Sequence, residues 1–205
     1  MKLNKTISLI HLLVLLSTTT MIAQNNTFKW AKSIGTSTSE VGQSITVDAS
    51  GNIYTTGYFQ GTVDFDPGVG VTNLVSTGVN DIFITKFDAS GNLIWAKSMG
   101  GTASDFPYSI AIDGTGNLYT TGYFSGTADF NPGVGTESLT SVGSNDIFIS
   151  KLDNNGNFVW AKNIGSTSND AAYAIKLDAS SNIYITGYFS GTADFDPSGN
   201  VANLT

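Results

Sequence analysis

The sequence predicts an all-β protein built from repeated blades of four antiparallel strands. First, the segment GNIYTTGYF at 51–59 returns as GNLYTTGYF at 116–124 and as SNIYITGYF at 181–189, each copy 65 residues after the last. Second, apolar residues in the longer segments alternate with a period of two, which is the pattern of a β-strand. Third, short turns rich in Asp, Asn and Gly separate these segments.

The 65-residue interval extends over nearly the whole chain. Trp30, Trp95 and Trp160 begin similar WAK segments, and NDIFITKFD at 80–88 returns as NDIFISKLD at 145–153. An internal repeat of this kind indicates one structural unit that stacks on its neighbours. We predict units at about 36–100, 101–165 and 166–205, the last of them truncated, with a terminal blade strand at 28–35.

Each complete unit contains four strand-like segments joined by tight turns. In the first unit these are 44–47, 53–59, 81–87 and 93–99. Turns such as DASGN contain a glycine for positive φ and an Asp or Asn that bonds to the backbone. A repeated four-stranded antiparallel meander is the blade of a β-propeller. A longer excursion at 61–80 explains why the unit exceeds the ~40–50 residues of common blades.

The number of units predicts an incomplete ring. About three units are present, whereas propellers have at least about four blades. We therefore expect further blades to follow after Thr205.

Three blocks of the unit resemble a known repeat family. In the second unit they are AIDGTGNLYTTGY, DIFISKLDNNGNFVWA and NIGS, in that order. This order resembles the SBBP repeat, a β-propeller repeat of secreted bacterial proteins. The DFDPG variant in the excursion is similar to a subgroup of large exported proteins that often end in a type IX sorting domain. The resemblance implies a propeller fold and supplies no catalytic residues.

Residues 1–23 have the pattern of a secretory signal peptide. Lys2 and Lys5 precede an apolar run at 7–16, and the small residue Ala23 lies at the predicted cleavage point. The apolar run is shorter than the ~20 residues that span a bilayer. We therefore predict a secreted or cell-surface protein without a membrane span.

The predicted mature chain, 24–205, has an acidic and chemically restricted composition. Cleavage removes His11, Lys2 and Lys5, which leaves seven lysines against 16 acidic residues and neither histidine, arginine nor cysteine. A nucleic-acid partner is not expected, because neutralising phosphates requires a basic surface. The absence of cysteine means that packing rather than disulfides must stabilise the fold.

Recurring polar pairs in the excursions are the candidate metal ligands. Oxygen ligands two residues apart, followed by a turn, could hold calcium, with Glu40, Asp105 and Asp170 as additional ligands. The alternative is that these side chains close turns by accepting backbone N–H bonds. The pairs lack the calcium-loop pattern with a distal Glu, so the turn interpretation is favoured and no cofactor is predicted. The candidates are Asp64, Asp66, Asp129, Asn131, Asp194 and Asp196.

Two further sets of repeated residues predict packing. Gly57, Gly122 and Gly187 are expected where another backbone or a ring comes close. The three tryptophans are expected to be buried between adjacent blades rather than to stack on a ligand.

These observations predict an exported, non-catalytic β-propeller segment that acts as a scaffold or binding module for an unidentified protein or glycan. No catalytic residues are predicted, because a catalytic site normally breaks the symmetry of a repeat and no such break is visible. The alternative is a calcium-dependent or carbohydrate-binding adhesive module.

Overall fold

The computed structural model describes residues 28–35, 39–198 and 200–205, and every regular element in these ranges is a β-strand. The predicted signal peptide at 1–23 lies outside the described residues. No helix that could cross a membrane is found in the described ranges. The all-β prediction is confirmed.

Sixteen strands follow one another along the described residues. They are β1 (Glu40–Val47), β2 (Ile53–Phe59), β3 (Thr62–Asp64), β4 (Asn73–Val75), β5 (Asp81–Phe87), β6 (Leu93–Gly101), β7 (Phe106–Ile112), β8 (Leu118–Phe124), β9 (Thr127–Asp129), β10 (Ser138–Thr140), β11 (Asp146–Leu152), β12 (Phe158–Ile164), β13 (Ala171–Leu177), β14 (Ile183–Tyr188), β15 (Ala193–Asp194) and β16 (Asn203–Leu204).

The strands form antiparallel blades. The first blade has the order β1-β2-β5-β6, the second has the order β7-β8-β11-β12, and the third unit contributes the pair β13-β14. Each excursion forms a small hairpin: β3-β4, β9-β10 and β15-β16. Strand β6 also pairs with β9 at Gly100 and Gly101, which joins the first blade to the hairpin of the second unit. Over the described residues the blades form an open, unclosed arrangement.

An aspartate closes each of the tight turns that precede the second strand of a unit. In the β1–β2 turn, Asp48 Oδ1 accepts hydrogen bonds from the backbone N–H groups of Ser50 and Asn52, each at 2.9 Å. Gly51 has a φ of 82°. The β13–β14 turn places Ser181 at the equivalent position with a φ of 61°, a conformation that costs a non-glycine residue roughly 1–2 kcal/mol.

The three repeated glycines lie where the first strand of each unit comes close to the second. A side chain at Gly57 would collide with the carbonyl oxygen of Val41 and would lie 2.7 Å from the ring of Phe83. Side chains at Gly122 and Gly187 would meet the equivalent carbonyl oxygens of their own units. The predicted close approach of another backbone is confirmed at all three glycines, and a ring also comes close at Gly57.

A β-bulge in the first strand lies beside each of these glycines. The pairing register shifts by one residue in β1, β7 and β13, which leaves Gln43, Tyr108 and Tyr173 as the inserted residues. A bulge bends the strand and turns the inserted side chain away from the regular alternation. Glycine in the second strand therefore permits the bulge in the first.

The apolar core lies between units. One buried cluster combines Ile82 and Met99 of the first blade with Ile110, Phe124 and Phe148 of the second unit. A second cluster joins residues of the second blade to β13 in the same manner. The blades are thus stacked face to face, as apolar residues on both faces of each strand predict.

Residues 28–35, for which the sequence predicts a terminal blade strand, form no strand. A strand requires a hydrogen-bonded neighbour, and none of the described strands pairs with this segment. A side chain holds the segment instead. The ring of Trp30 lies against Gly91 in the β5–β6 turn, and its Nε1 donates a hydrogen bond to the carbonyl of Ala89 at 3.1 Å.

The other two tryptophans link consecutive units. The ring of Trp95 lies against Gly156 in the β11–β12 turn of the second blade. Trp160 packs against the cluster that includes Ile175 of the third unit. Packing between adjacent units is confirmed, but both side chains are partly rather than fully buried. Trp95 covers a turn at the end of the neighbouring blade, where burial is incomplete.

We predict that Gly122→Ala destabilises the protein by about 3 kcal/mol, because the new methyl group would overlap the Phe106 carbonyl and lie 2.8 Å from Pro107 Cα. The control is Gly114→Ala, since no atom lies within 4 Å of the added methyl group and the other units carry alanine there. Urea denaturation would measure both changes. Equal losses at the two glycines would contradict the bulge geometry.

We predict that Trp95→Ala lowers the free energy of unfolding by about 2–3 kcal/mol, less than the 3–5 typical of a fully buried aromatic ring. The neighbouring Ile94 is 50% exposed, so Ile94→Ala should change the free energy by only about 0.5 kcal/mol. Chemical denaturation of the two variants gives the comparison. An equally small loss at Trp95 would show that the ring does not hold the units together.

Candidate functional site

The predicted metal ligands lie on the excursion hairpins, where they act as turn-closing acceptors. Asp64 Oδ1 accepts hydrogen bonds from the N–H groups of Asp66 at 3.0 Å and Thr72 at 2.8 Å. Asp66 Oδ1 accepts a further bond from the N–H of Gly68 at 2.7 Å. The bonds to Thr72 and Asp66 hold the pKa of Asp64 below its usual value.

The other two hairpins repeat this arrangement. Asp129 Oδ1 accepts from the N–H groups of Asn131 at 2.9 Å and Glu137 at 2.8 Å. Asp194 Oδ1 accepts from the N–H groups of Asp196 at 3.0 Å and Ala202 at 2.8 Å. Within the described ranges, no three acidic side chains converge as a metal-binding set. The turn interpretation, which the sequence favours for the six candidates, and the calcium alternative both stay predictions.

Buried carboxylates occupy the junctions between units. Asp105 Oδ2 accepts from the N–H of Gly101 at 2.8 Å, and its Oδ1 accepts from the N–H of Ser125 at 3.2 Å. Asp170 makes the equivalent bonds at the next junction, to backbone N–H groups at 2.6 and 2.9 Å. Burial raises the pKa of Asp105 to about 6, and the nearby charge of Asp81 contributes to the rise. Asp105 and Asp170, which the sequence offered as added calcium ligands, thus lie in the joints between units.

A cavity of about 480 Å³ lies between the turn ends of the first two blades. Its lining includes Asp48, Asp113 and Lys86. Both aspartates are engaged in closing their own turns. Lys86 Nζ donates to the carbonyl of Asn154 at 3.2 Å and lies 5.2 Å from the centre of the Tyr54 ring. These charged side chains therefore hold turns and join blades.

A continuous array of aromatic rings crosses all three units. We call it the tyrosine array, and its members are Tyr58, Phe106, Tyr108, Tyr123, Tyr173 and Tyr188. Ring centres lie 4.5 Å apart between Tyr58 and Phe106, and 5.3 Å apart between Tyr108 and Tyr173. The remaining neighbours in the array lie 5.2–5.9 Å apart. Such spacings are typical of favourable aromatic pairs.

The array exposes one end to solvent and brings hydroxyl groups together. Tyr173 is 53% exposed and Tyr188 is 41% exposed. Burial, followed by the proximity of Tyr108 and Tyr188, raises the pKa of Tyr123 to about 12. The array thus combines flat apolar rings with clustered polar hydroxyl groups, which is the composition of a recognition surface.

Sequence reasoning did not identify the tyrosine array. Tyr58, Tyr123 and Tyr188 recur at the 65-residue interval, so the sequence shows that these three tyrosines occupy equivalent positions. That Tyr108 and Tyr173 lie beside them depends on the bulges in β7 and β13. A bulge is a register shift between two strands and has no distinct sequence pattern here.

Parts of the chain match a known repeat family. The model of the SBBP family, described as a beta-propeller repeat, matches residues 29–58 and 89–130. The chain is 30% identical over 186 residues to an uncharacterized WD repeat-containing protein of Acanthamoeba polyphaga mimivirus, an alignment that covers 79% of this chain. It is also 25% identical over 126 residues, 60% of this chain, to the regulatory protein FlaEY of Caulobacter vibrioides.

The alignments cover only a small part of each relative. The chain spans about one eighth of the length of each, 13% in both cases. The family match, the 65-residue unit and the four-stranded blades agree. They support the interpretation of these units as SBBP β-propeller repeats.

We predict that acid destabilises the turn that Asp113 closes beside the cavity of about 480 Å³. Burial raises the pKa of Asp113, but hydrogen bonds from Asn117 and Thr115 outweigh burial and hold the pKa well below its ordinary value of 3.8. A lowered carboxyl pKa stabilises the fold above the unfolded value, and that stabilisation is lost as the pH falls below about 4.

The measurement is the urea midpoint of unfolding between pH 7 and pH 2, for the natural sequence and for Asp113→Asn. We expect the midpoint of Asp113→Asn to fall less steeply below about pH 4, since this carboxyl no longer takes up a proton on unfolding. Identical acid slopes for the two proteins would contradict the prediction.

Proposed function

We propose that this chain is the β-propeller part of an exported, non-catalytic protein, and that it serves as a scaffold or binding module. The tyrosine array is its contact surface, and a protein is the favoured partner. The observation that carries this proposal is the unbroken run of aromatic rings across three units, open to solvent at Tyr173 and Tyr188.

The chemistry of the array supports recognition of a protein. Tyrosine is enriched in protein interfaces because a large rigid ring can be buried while its hydroxyl group remains hydrogen-bonded. Tyr173 and Tyr188 lie 5.7 Å apart, so one partner side chain could contact both rings. The other charged and polar groups described above close turns or join units, which supports a non-catalytic role.

Export is supported by the sequence of residues 1–23, whose positive start, apolar run and small residue at position 23 fit a signal peptide. The DFDPG motif at 64–68 supports the finer assignment to the exported bacterial subgroup. Intact mass of the protein from culture medium tests this part. A chain that begins at Gln24 is expected, and retention of the uncleaved chain inside the cell would contradict it.

Photo-crosslinking tests the binding surface. A benzoylphenylalanine residue replaces Tyr173 in one variant and Tyr184 in another, and both are expressed in the native cells. Tyr184 is a suitable control because it is 59% exposed but donates its hydroxyl to Asp178 outside the array.

We expect a discrete protein adduct at position 173 and none at position 184. The adduct should disappear in Tyr188→Ser, which removes the neighbouring ring. Equal labelling at both positions, or an adduct that survives Tyr188→Ser, would refute the array as the contact surface.

A glycan ligand is the second candidate, and the exposed pair Tyr173 and Tyr188 specifically favours it. Tyrosine rings can stack on the apolar face of a sugar, while their hydroxyl groups bond to sugar hydroxyls. Affinity electrophoresis through a panel of polysaccharides tests this candidate. Retardation that is lost in Tyr173→Ser would support it, and unchanged mobility across the panel would exclude the polysaccharides tested.

A further inference from the structure

The second strand of the third unit has one open edge. Strand β14 pairs with β13 on one side, and no described strand pairs with its other side. In the first two units the same edge is occupied, because β5 pairs with β2 and β11 pairs with β8. Thr186 of β14 is exposed, whereas the equivalent Thr56 and Thr121 are fully buried. An unpaired edge presents backbone groups that can accept a further strand.

A phenylalanine lies opposite the repeated glycine wherever this edge is occupied. Phe83 of β5 pairs with Gly57, and Phe148 of β11 pairs with Gly122. A methyl group on Gly57 would lie 2.7 Å from the Phe83 ring, so the ring lies across the glycine. Opposite Gly187, no described strand supplies such a ring.

Two further rings surround this phenylalanine in the second unit. The ring centre of Phe148 lies 5.1 Å from that of Phe130, which lies 5.4 Å from that of Phe124. Both Phe124 and Phe130 are fully buried. The third unit keeps the corresponding pair, Phe189 and Phe195, with ring centres 5.1 Å apart. These two rings are only partly buried, so the third unit has the surroundings of the phenylalanine without the phenylalanine.

A cavity of about 250 Å³ lies beside this pair of rings. Its lining includes Ile147 of the second blade together with Ile185, Gly187 and Phe195 of the third unit. Ile147, Ile185 and Phe195 also contribute to the apolar cluster that joins these two units, so the cavity continues an existing interface. An apolar cavity of roughly 150 Å³ can hold a benzene ring. The space therefore suits a phenylalanine side chain.

A threonine hydroxyl at this edge could bind the backbone of an added segment. Thr56 Oγ1 donates a hydrogen bond to the carbonyl of Phe83 at 2.9 Å, and Thr121 Oγ1 donates to the carbonyl of Phe148 at 2.7 Å. Thr186 is the equivalent residue of β14 and is exposed. The edge therefore offers the same donor to the carbonyl of an incoming phenylalanine.

We propose that the open edge of β14 and the adjoining cavity bind an extended apolar–phenylalanine–apolar segment of a second polypeptide. The phenylalanine would lie opposite Gly187 with its ring in the cavity, and the flanking residues would pair with Thr186 and Tyr188. This is the register that residues 147–149 adopt on β8, and it ends before Tyr184. A strand added to a sheet edge gains affinity from backbone hydrogen bonds and specificity from side-chain pockets.

A second folded copy of this chain cannot supply the segment from its blades. Strand β5 lies between β2 and β6, and β11 lies between β8 and β12, so either strand would have to leave its own sheet. The partner is therefore a different polypeptide. The proposal concerns the edge of β14 rather than the exposed rings of the tyrosine array, and it does not depend on the array as a contact surface.

Binding of a synthetic peptide to the purified full chain tests the proposal. The probe is fluorescein-labelled NDIFIS, the sequence of residues 145–150, and its fluorescence anisotropy reports binding. The matched control peptide, NDFIIS, has the same composition but moves the ring by one position and so to the other face of the strand. We expect NDIFIS to bind with a Kd below about 1 mM. NDFIIS should bind at least about tenfold more weakly, since its ring stays outside the cavity.

Two substitutions in β14 locate the bound peptide. Ile185→Phe places an additional ring in the cavity and should weaken the binding of NDIFIS at least about tenfold. Ile183→Phe is the matched control, because Ile183 is also partly buried in β14 but does not line the cavity. It should leave the Kd unchanged. Circular dichroism shows whether both variants are folded.

Equal binding of NDIFIS and NDFIIS, or no binding up to about 1 mM, would overturn the proposal. An equal loss in Ile185→Phe and Ile183→Phe would also overturn it. Sedimentation equilibrium of the chain alone identifies the remaining occupant: self-association that excludes the peptide would assign the edge to a second copy and contradict the proposed partner. If Ile185→Phe does not fold, the two peptides decide.

Discussion

The close approach of backbone to backbone at Gly57, Gly122 and Gly187 is the constraint on which the rest of the structure depends. Each glycine leaves room for a carbonyl oxygen of the first strand of its unit, and that strand can therefore carry a bulge. The bulge turns one residue out of the regular alternation. In the second and third units this residue is a tyrosine, Tyr108 or Tyr173, and both belong to the tyrosine array.

Comparison of the repeated units distinguishes residues that every unit shares from residues that differ between units. Turn aspartates, hairpin aspartates and the repeated glycines recur because each unit must close the same turns and bulge the same strand. Single units differ at some equivalent positions: Gln43 stands where the other units have tyrosine, and Ser98 stands where the next unit has Asn163. The proposed contact surface depends on the first of these differences, since Tyr108 and Tyr173 belong to the tyrosine array.

Much of the fold could be predicted from the sequence because periodicity, turn residues and the repeat all report local structure. The strands, the turns and the close approach at Gly57 follow from these local signals. The placement of Asp105 beside Asp81 could not be predicted, because it depends on the way two units dock. The segment 28–35 was predicted to be a strand from its local pattern and is not one, because no described strand lies beside it to pair with.

The stacking of consecutive units through their bulged strands is the central claim, and nuclear Overhauser contacts between tyrosine rings test it most directly. Selective labelling of the eight tyrosines, with Tyr108→Phe for assignment, would isolate these contacts. The account predicts a contact between Tyr108 and Tyr173, whose ring centres lie 5.3 Å apart in different units. A contact between Tyr173 and Tyr188 within the third unit, without any between Tyr108 and Tyr173, would contradict it.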